Sequence, residues 1–174
     1  MRKLIAAMSV ALLLAGCGDE KRGDAPRESN QSPIETIDLD DNETRNRIIA
    51  EAIDEDNLDA KGDCCDEILH VAGQETPYTG WVKSAYEDGG IFFLAQYKGG
   101  KENGSWVQWY RNGKKMEETS FKDGKILQIL VWKPNGIKCP VTNVVNGNGV
   151  AVSYDPDGKE YLRSNYMKGE WVKE

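Results

Sequence analysis

The chain has 174 residues, with 22 lysines and arginines against 29 aspartates and glutamates, for a formal net charge of −7. That length suits one ordinary domain with a tail, and a net-negative chain lacks the clustered basic charge that phosphate backbones require, so nucleic acid is not an expected partner. His70 is the single histidine, which excludes a multi-histidine metal site; no phosphate loop, dinucleotide fingerprint or nucleophile elbow is present, and neither metal nor cofactor is expected.

The first 16 residues read as an address. Arg2 and Lys3 precede an apolar stretch over residues 4–15. It is too short for the roughly 20 residues that span a bilayer, but it has the length and flanks of a secretory signal. Leu14-Ala15-Gly16-Cys17 resembles the lipobox of bacterial lipoproteins. The resemblance implies cleavage before Cys17, then a diacylglycerol thioether and an acylated amine on that cysteine. More than one acyl chain gives stable membrane anchoring. Gly18, not Asp, follows the cysteine, which under the aspartate retention rule points to the outer membrane or cell surface.

Composition then splits the chain. Residues 17–77 carry 18 acidic and 6 basic side chains, net −12, while residues 78–174 carry 11 and 14, net +3. All fifteen aromatics and thirteen of the eighteen glycines lie in the second part, so only that part can build a sizeable core. Residues 17–43 are polar and acidic without an apolar cluster, and read as a flexible, disordered tether. Within them, Ser32-Pro33-Ile34-Glu35 has the form of a capping box, enough for a short, weak helix. Over residues 44–60 the spacing of Ile48, Ile49, Ala52 and Ile53 predicts a short amphipathic helix. Asp54, Asp56 and Asp59 follow without the sixth-position glycine and closing glutamate of a calcium loop, and read as a solvated helix end.

From residue 66 to 174 the sequence repeats an aromatic residue followed by a glycine turn. Tyr86-Glu87-Asp88-Gly89, Tyr97-Lys98-Gly99-Gly100, Tyr110-Arg111-Asn112-Gly113, Phe121-Lys122-Asp123-Gly124 and Trp132-Lys133-Pro134-Asn135-Gly136 come in succession. Tyr154-Asp155-Pro156-Asp157-Gly158 and Tyr166-Met167-Lys168-Gly169 resume after an interruption. Alternate turn glycines lie 24, 24 and 23 residues apart, a period of one hairpin per repeat. Asn-Gly and Asp-Gly supply the positive φ of tight hairpins, and β-formers such as Ile91-Phe92-Phe93-Leu94 fill the intervals. The expected fold is mainly β, an antiparallel meander of stacked hairpins.

This pattern resembles the MORN-repeat variant of bacterial proteins, a family carrying an antitoxin label. Pro77-Tyr78-Thr79-Gly80-Trp81 matches its opening, and residues 104–114 form a near-complete unit, Gly104-Ser105-Trp106-Val107-Gln108-Trp109-Tyr110-Arg111-Asn112-Gly113-Lys114. The resemblance implies a repeat scaffold and, through the label, an antitoxin or immunity-type protein with a toxin partner.

The repeat breaks over residues 137–149, where Lys138, Cys139, Pro140, Thr142 and Asn143 replace a strand start and Asn146 and Asn148 flank a turn that resets the register. The break is either an aggregation-blocking edge or a grafted binding loop. Cys64, Cys65 and Cys139 remain after lipidation in an oxidising compartment; adjacent cysteines bond poorly to each other, so one bridge from Cys64 or Cys65 to Cys139 is expected. His70 reads as a partly exposed strand residue. Trp81, Trp106, Trp109, Tyr110 and Trp132 either fill the core or form a binding stripe, and Trp106 and Trp109, three apart, must point to opposite faces of one strand. The sequence therefore reads as a non-enzymatic, lipid-anchored envelope protein whose partner is a protein or an envelope glycan. A glycan-active enzyme, and an anionic-lipid contact through Lys114, Lys115, Lys122 and Lys125, are the further alternatives.

Overall fold

The computed structural model describes residues 37–62 and 67–173. Cys17, the tether up to residue 36, and Cys64 and Cys65 lie outside the described residues.

Helix α1 spans Asn42–Glu51. Asp41 starts it: its carboxylate accepts from the Thr44 backbone N–H at 2.7 Å, taking up a donor that a helix start leaves unpaired, and that bond holds the carboxyl below its ordinary range. Ile48, 1 % exposed, Ile49 and Ala52 form the inward face. The helix ends well short of residue 60. Ala52 is already extended, and Ile53 and Asp54 form strand β1 (Ile53–Asp54), parallel to Val82 and Lys83. The sheet thus offers the backbone partners that a longer helix would have supplied, and Lys83 Nζ donates to the Ile49 carbonyl at 2.9 Å, satisfying the helix end. Asp54 caps a single 3-10 turn, Glu55–Asn57. Strands β2 (Leu58–Lys61) and β3 (Ile68–Val71) then pair antiparallel, so β structure begins ahead of residue 66. His70 on β3 is 7 % exposed, not a surface residue, because β3 seats beneath the next turn: Leu69 N–H donates to the Gly100 carbonyl at 3.0 Å.

The repeat region forms the expected antiparallel meander. Strands β4 (Gly80–Ala85), β5 (Ile91–Lys98), β6 (Lys101–Trp109), β7 (Lys115–Lys122) and β8 (Lys125–Val131) pair in sequence order, with β1 outside β4. Strands β9 (Gly149–Tyr154), β10 (Glu160–Met167) and β11 (Glu170–Val172) form a second antiparallel set.

The turns stack at the two ends of the sheet. At one end each turn has the same pair of backbone bonds: Tyr86, Tyr110, Lys133 and Asp155 donate to the carbonyls of Gly90, Lys114, Ile137 and Lys159, and receive from Gly89, Gly113, Gly136 and Gly158. These glycines are 24, 23 and 22 residues apart. At the other end Gly100, Gly124, Gly147 and Gly169 repeat with the same intervals. All eight have the positive φ of left-handed turns, from 73° at Gly147 to 89° at Gly136. The hydroxyls of Tyr86 and Tyr110 reach one repeat ahead, to the Trp109 and Trp132 carbonyls at 2.7 and 2.8 Å.

Gly147 therefore continues the period and does not reset it. What is irregular is the chain before it, which lies as a seam between β8 and β9. Cys139 and Gly147 donate to the Val131 and Leu127 carbonyls, and Val144 accepts from Ile129. On the other side Asn143 exchanges backbone and side-chain bonds with Val150, and Thr142 Oγ1 accepts from Val152 at 3.0 Å. Two cores result. One joins Ile129, Val131, Cys139, Val144, Val152 and Tyr154 across the seam. The other joins Leu39, Ile48 and Ala52 to Leu94, Val107 and Trp109.

Candidate functional site

Alternation sends neighbouring residues of each strand to opposite faces. One face carries the cross-strand row Lys83–Leu94–Val107–Glu118–Leu130, and α1 covers it at Leu94 and Val107. Beyond the helix this face holds a shallow recess between residues 37–40 and Lys115 and Glu118. Lys115 is paired there with Asp40 and Glu118, each at 2.8 Å; burial opposes its charge, but the two carboxylates outweigh it and raise its pKa.

The opposite face carries two parallel rows: Ser84–Phe93–Gln108–Glu117–Val131, and Val82–Ala95–Trp106–Thr119–Ile129. Val82, Ala95 and Thr119 are buried and form its floor. Phe93, Trp106, Gln108 and Glu117 rise from it partly exposed. The Phe93 and Trp106 rings lie 6.2 Å apart with 32° between their planes. Glu55 reaches the same row from the 3-10 turn, accepting a short hydrogen bond from Ser84 Oγ. Glu117 accepts from Thr119 Oγ1 at 2.8 Å. Burial pushes both carboxyls up; the hydroxyl bonds offset part of that, and Asp56 and Asp54 add to it at Glu55. Burial raises the Tyr166 hydroxyl of β10, and the Glu117 charge adds to that.

The five aromatic candidates separate. Trp109 and Tyr110 are core, 4 and 6 % exposed, and Trp81 packs on the helix-side cluster. Trp132 sits between the Lys115 and Lys138 side chains, 5.1 and 6.0 Å from its ring centre. Trp106 alone of the five stands on the Phe93 face, opposite Trp109 as their spacing requires.

The irregular segment spends its polar groups on the seam. Thr142 and Asn143 bond β9; Asn148 Oδ1 accepts from Lys168 N–H at 3.1 Å, and its amide donates to the Asn146 carbonyl at 2.7 Å. Pro140 is exposed beside them. Cys139 is a free thiol, 3 % exposed, so the expected bridge is not formed at this end; its Sγ lies 3.2 Å from the Tyr154 hydroxyl and accepts from Thr142 N–H. The thiol points into the core between β8 and β9, away from any approach from outside. Burial works against its ionisation, but the Thr142 and Tyr154 bonds outweigh it and lower its pKa, while the same bond to Cys139 pushes Tyr154 up to about 12.

The basic cluster also dissolves. Lys114 precedes β7 and Lys115 begins it, while Lys122 ends it and Lys125 starts β8, so the two pairs sit at opposite ends of the sheet. Lys115 is paired as above, Lys114 donates to the Asn135 carbonyl, and Lys125 pairs with Glu170 at 3.3 Å.

Sequence reasoning missed Phe93, Gln108, Glu117 and Glu55 as one group. The Glu117-x-Thr119 alternation was the available signal, but the strand register passes through bulges next to Ser84, Gln108 and Ser120 that no local pattern reveals. No protein-family model matches the chain, and neither a curated protein nor a solved structure matches it.

Proposed function

We propose that this chain is a non-enzymatic binding module of the cell envelope, anchored through a lipidated Cys17, whose MORN-variant-like sheet meets its partner through the Phe93–Trp106 face. The observation that carries the reading is that the face opposite α1 presents, above a buried floor, a half-buried aromatic pair with an amide and two carboxyls beside it. Binding is favoured over glycoside cleavage. Ser84, which holds Glu55, and Glu117 are three strands apart, about 14 Å along a flat sheet, where paired catalytic carboxyls need about 5–9.5 Å.

The test is in-cell crosslinking and affinity capture of the full-length chain, with Cys17→Ser and Trp106→Ala variants, read by mass spectrometry. A partner enriched by the parent chain and lost with Trp106→Ala supports the reading, and the partner's own chemistry tells scaffold from immunity protein. Retention of Cys17→Ser in the membrane fraction would sink the anchoring claim. Capture unchanged by Trp106→Ala would sink the assignment of the face.

A further inference from the structure

Four aromatic rings of this molecule carry one of its own cations: Arg45 lies 5.9 Å from the Trp109 ring centre, Arg111 4.9 Å from Tyr86, Lys115 5.1 Å from Trp132 and Lys133 5.0 Å from Tyr154. Trp106 carries none: it lies tilted beside Phe93, and no cation lies over it among the described residues. Glu55 and Glu117 are held by the Ser84 and Thr119 hydroxyls, and neither forms an ion pair with a lysine or arginine among the described residues. Asp40, Glu51, Glu75, Asp88, Glu118, Glu160 and Glu170 do have such a partner.

A desolvated carboxylate gains most from a cation brought to it, and tryptophan is the best aromatic surface for one. We infer that this face binds a protein partner by its cationic side chains, with lysine or arginine seated over Trp106 and against Glu55 and Glu117. The inference rests on the binding-module reading and names the chemistry of the partner. Geometry favours a polypeptide over an amine-bearing glycan. Side chains four residues apart on an extended segment point the same way and span roughly 14 Å, the same as the three strand spacings from Ser84 to Glu117. Gln108 lies between, with an amide that can both donate to and accept from the partner's backbone.

The experiment titrates the full chain carrying Cys17→Ser with a five-residue peptide bearing lysine at both ends. The Trp106 indole N–H resonance is followed at low and high salt. A second titration uses the same peptide with both lysines acetylated, and a third uses a glucosamine tetrasaccharide. Binding of the free-lysine peptide, weakened by salt and reduced about tenfold or more by Glu55→Gln or Glu117→Gln, is the expected result. Equal binding of the acetylated peptide, no shift at millimolar peptide, or a response to the tetrasaccharide alone each overturns the inference. The acetylated peptide needs no variant, so a misfolded mutant cannot mask the answer. Failure here is distinguishable from failure of the function. If captured partners are lost with Trp106→Ala but kept by the Glu55→Gln, Glu117→Gln double variant, the binding module stands and the cationic partner falls.

Discussion

Leu94, Val107 and Trp109 close one face of the repeat sheet against α1, while Phe93, Trp106, Gln108 and Glu117, alternating with them along the same strands, stay partly open on the other. Both sets come from the same repeat. A sheet buries a face only where something else packs on it. On the Leu94 side that cover is a ten-residue helix from outside the repeat, started by Asp41 and ended by a switch into β1. On the other side Ile129 and Val131 are covered from within the repeat region, by Cys139, Val144 and Val152 of the seam and β9.

The sharpest way to break the comparison is to truncate equivalent positions on the two faces. Leu94→Ala leaves a cavity against Ile48 and is expected to lower unfolding free energy by about 2–5 kcal/mol in denaturant titration, with Trp106→Ala clearly below it. Equal losses would mean that the second face is also a sealed core. Next in size, Tyr110→Phe removes the hydroxyl that ties one turn to the Trp132 carbonyl, and a loss of about 1–3 kcal/mol is expected. Tyr86→Phe should match it, since the same bond recurs one repeat earlier; a large difference between the two would show that the turn stack is not the repeating unit of stability. Asp41→Ala removes the helix cap and should lower stability by less than the tyrosine variants do, with a parallel loss of amide-exchange protection in α1.

The smallest effect has the opposite sign. Burial raises the Glu117 carboxyl, so the folded state holds its proton to higher pH than the unfolded chain does. The stability linked to that proton is complete below the ordinary carboxylate range and is lost as pH rises through the raised folded value. Glu117→Gln is thus expected to raise the melting temperature at neutral pH and to change nothing at pH 3. A variant that melts lower at neutral pH would mean that a cation already neutralises Glu117 in the folded protein.

Much of this was legible because it is local. Each turn needs a left-handed residue three or four positions after an aromatic, and Gly89, Gly113, Gly136 and Gly158 announce it one after another. The opposite orientations of Trp106 and Trp109 follow from spacing alone. The seam was harder: with Pro140 and Cys139 in place of β-formers, residues 137–145 look like a break, although Gly147 keeps the period. His70 and the end of α1 were misjudged for one reason, that what covers or pairs them lies at Gly100 and Val82, distant in sequence.

By itself, then, the sequence determined the antiparallel hairpin meander, its period and its turn chemistry, because backbone conformational preference and two-residue alternation act over a few bonds. Only the tertiary structure decided which aromatics are core, that Lys115 and Lys122 stand at opposite ends of a strand, that Cys139 is an enclosed thiol, and that Glu55 and Glu117 share one face with Trp106. Those outcomes depend on cross-strand register and on which layer packs where, and both are fixed by contacts between residues far apart in the chain.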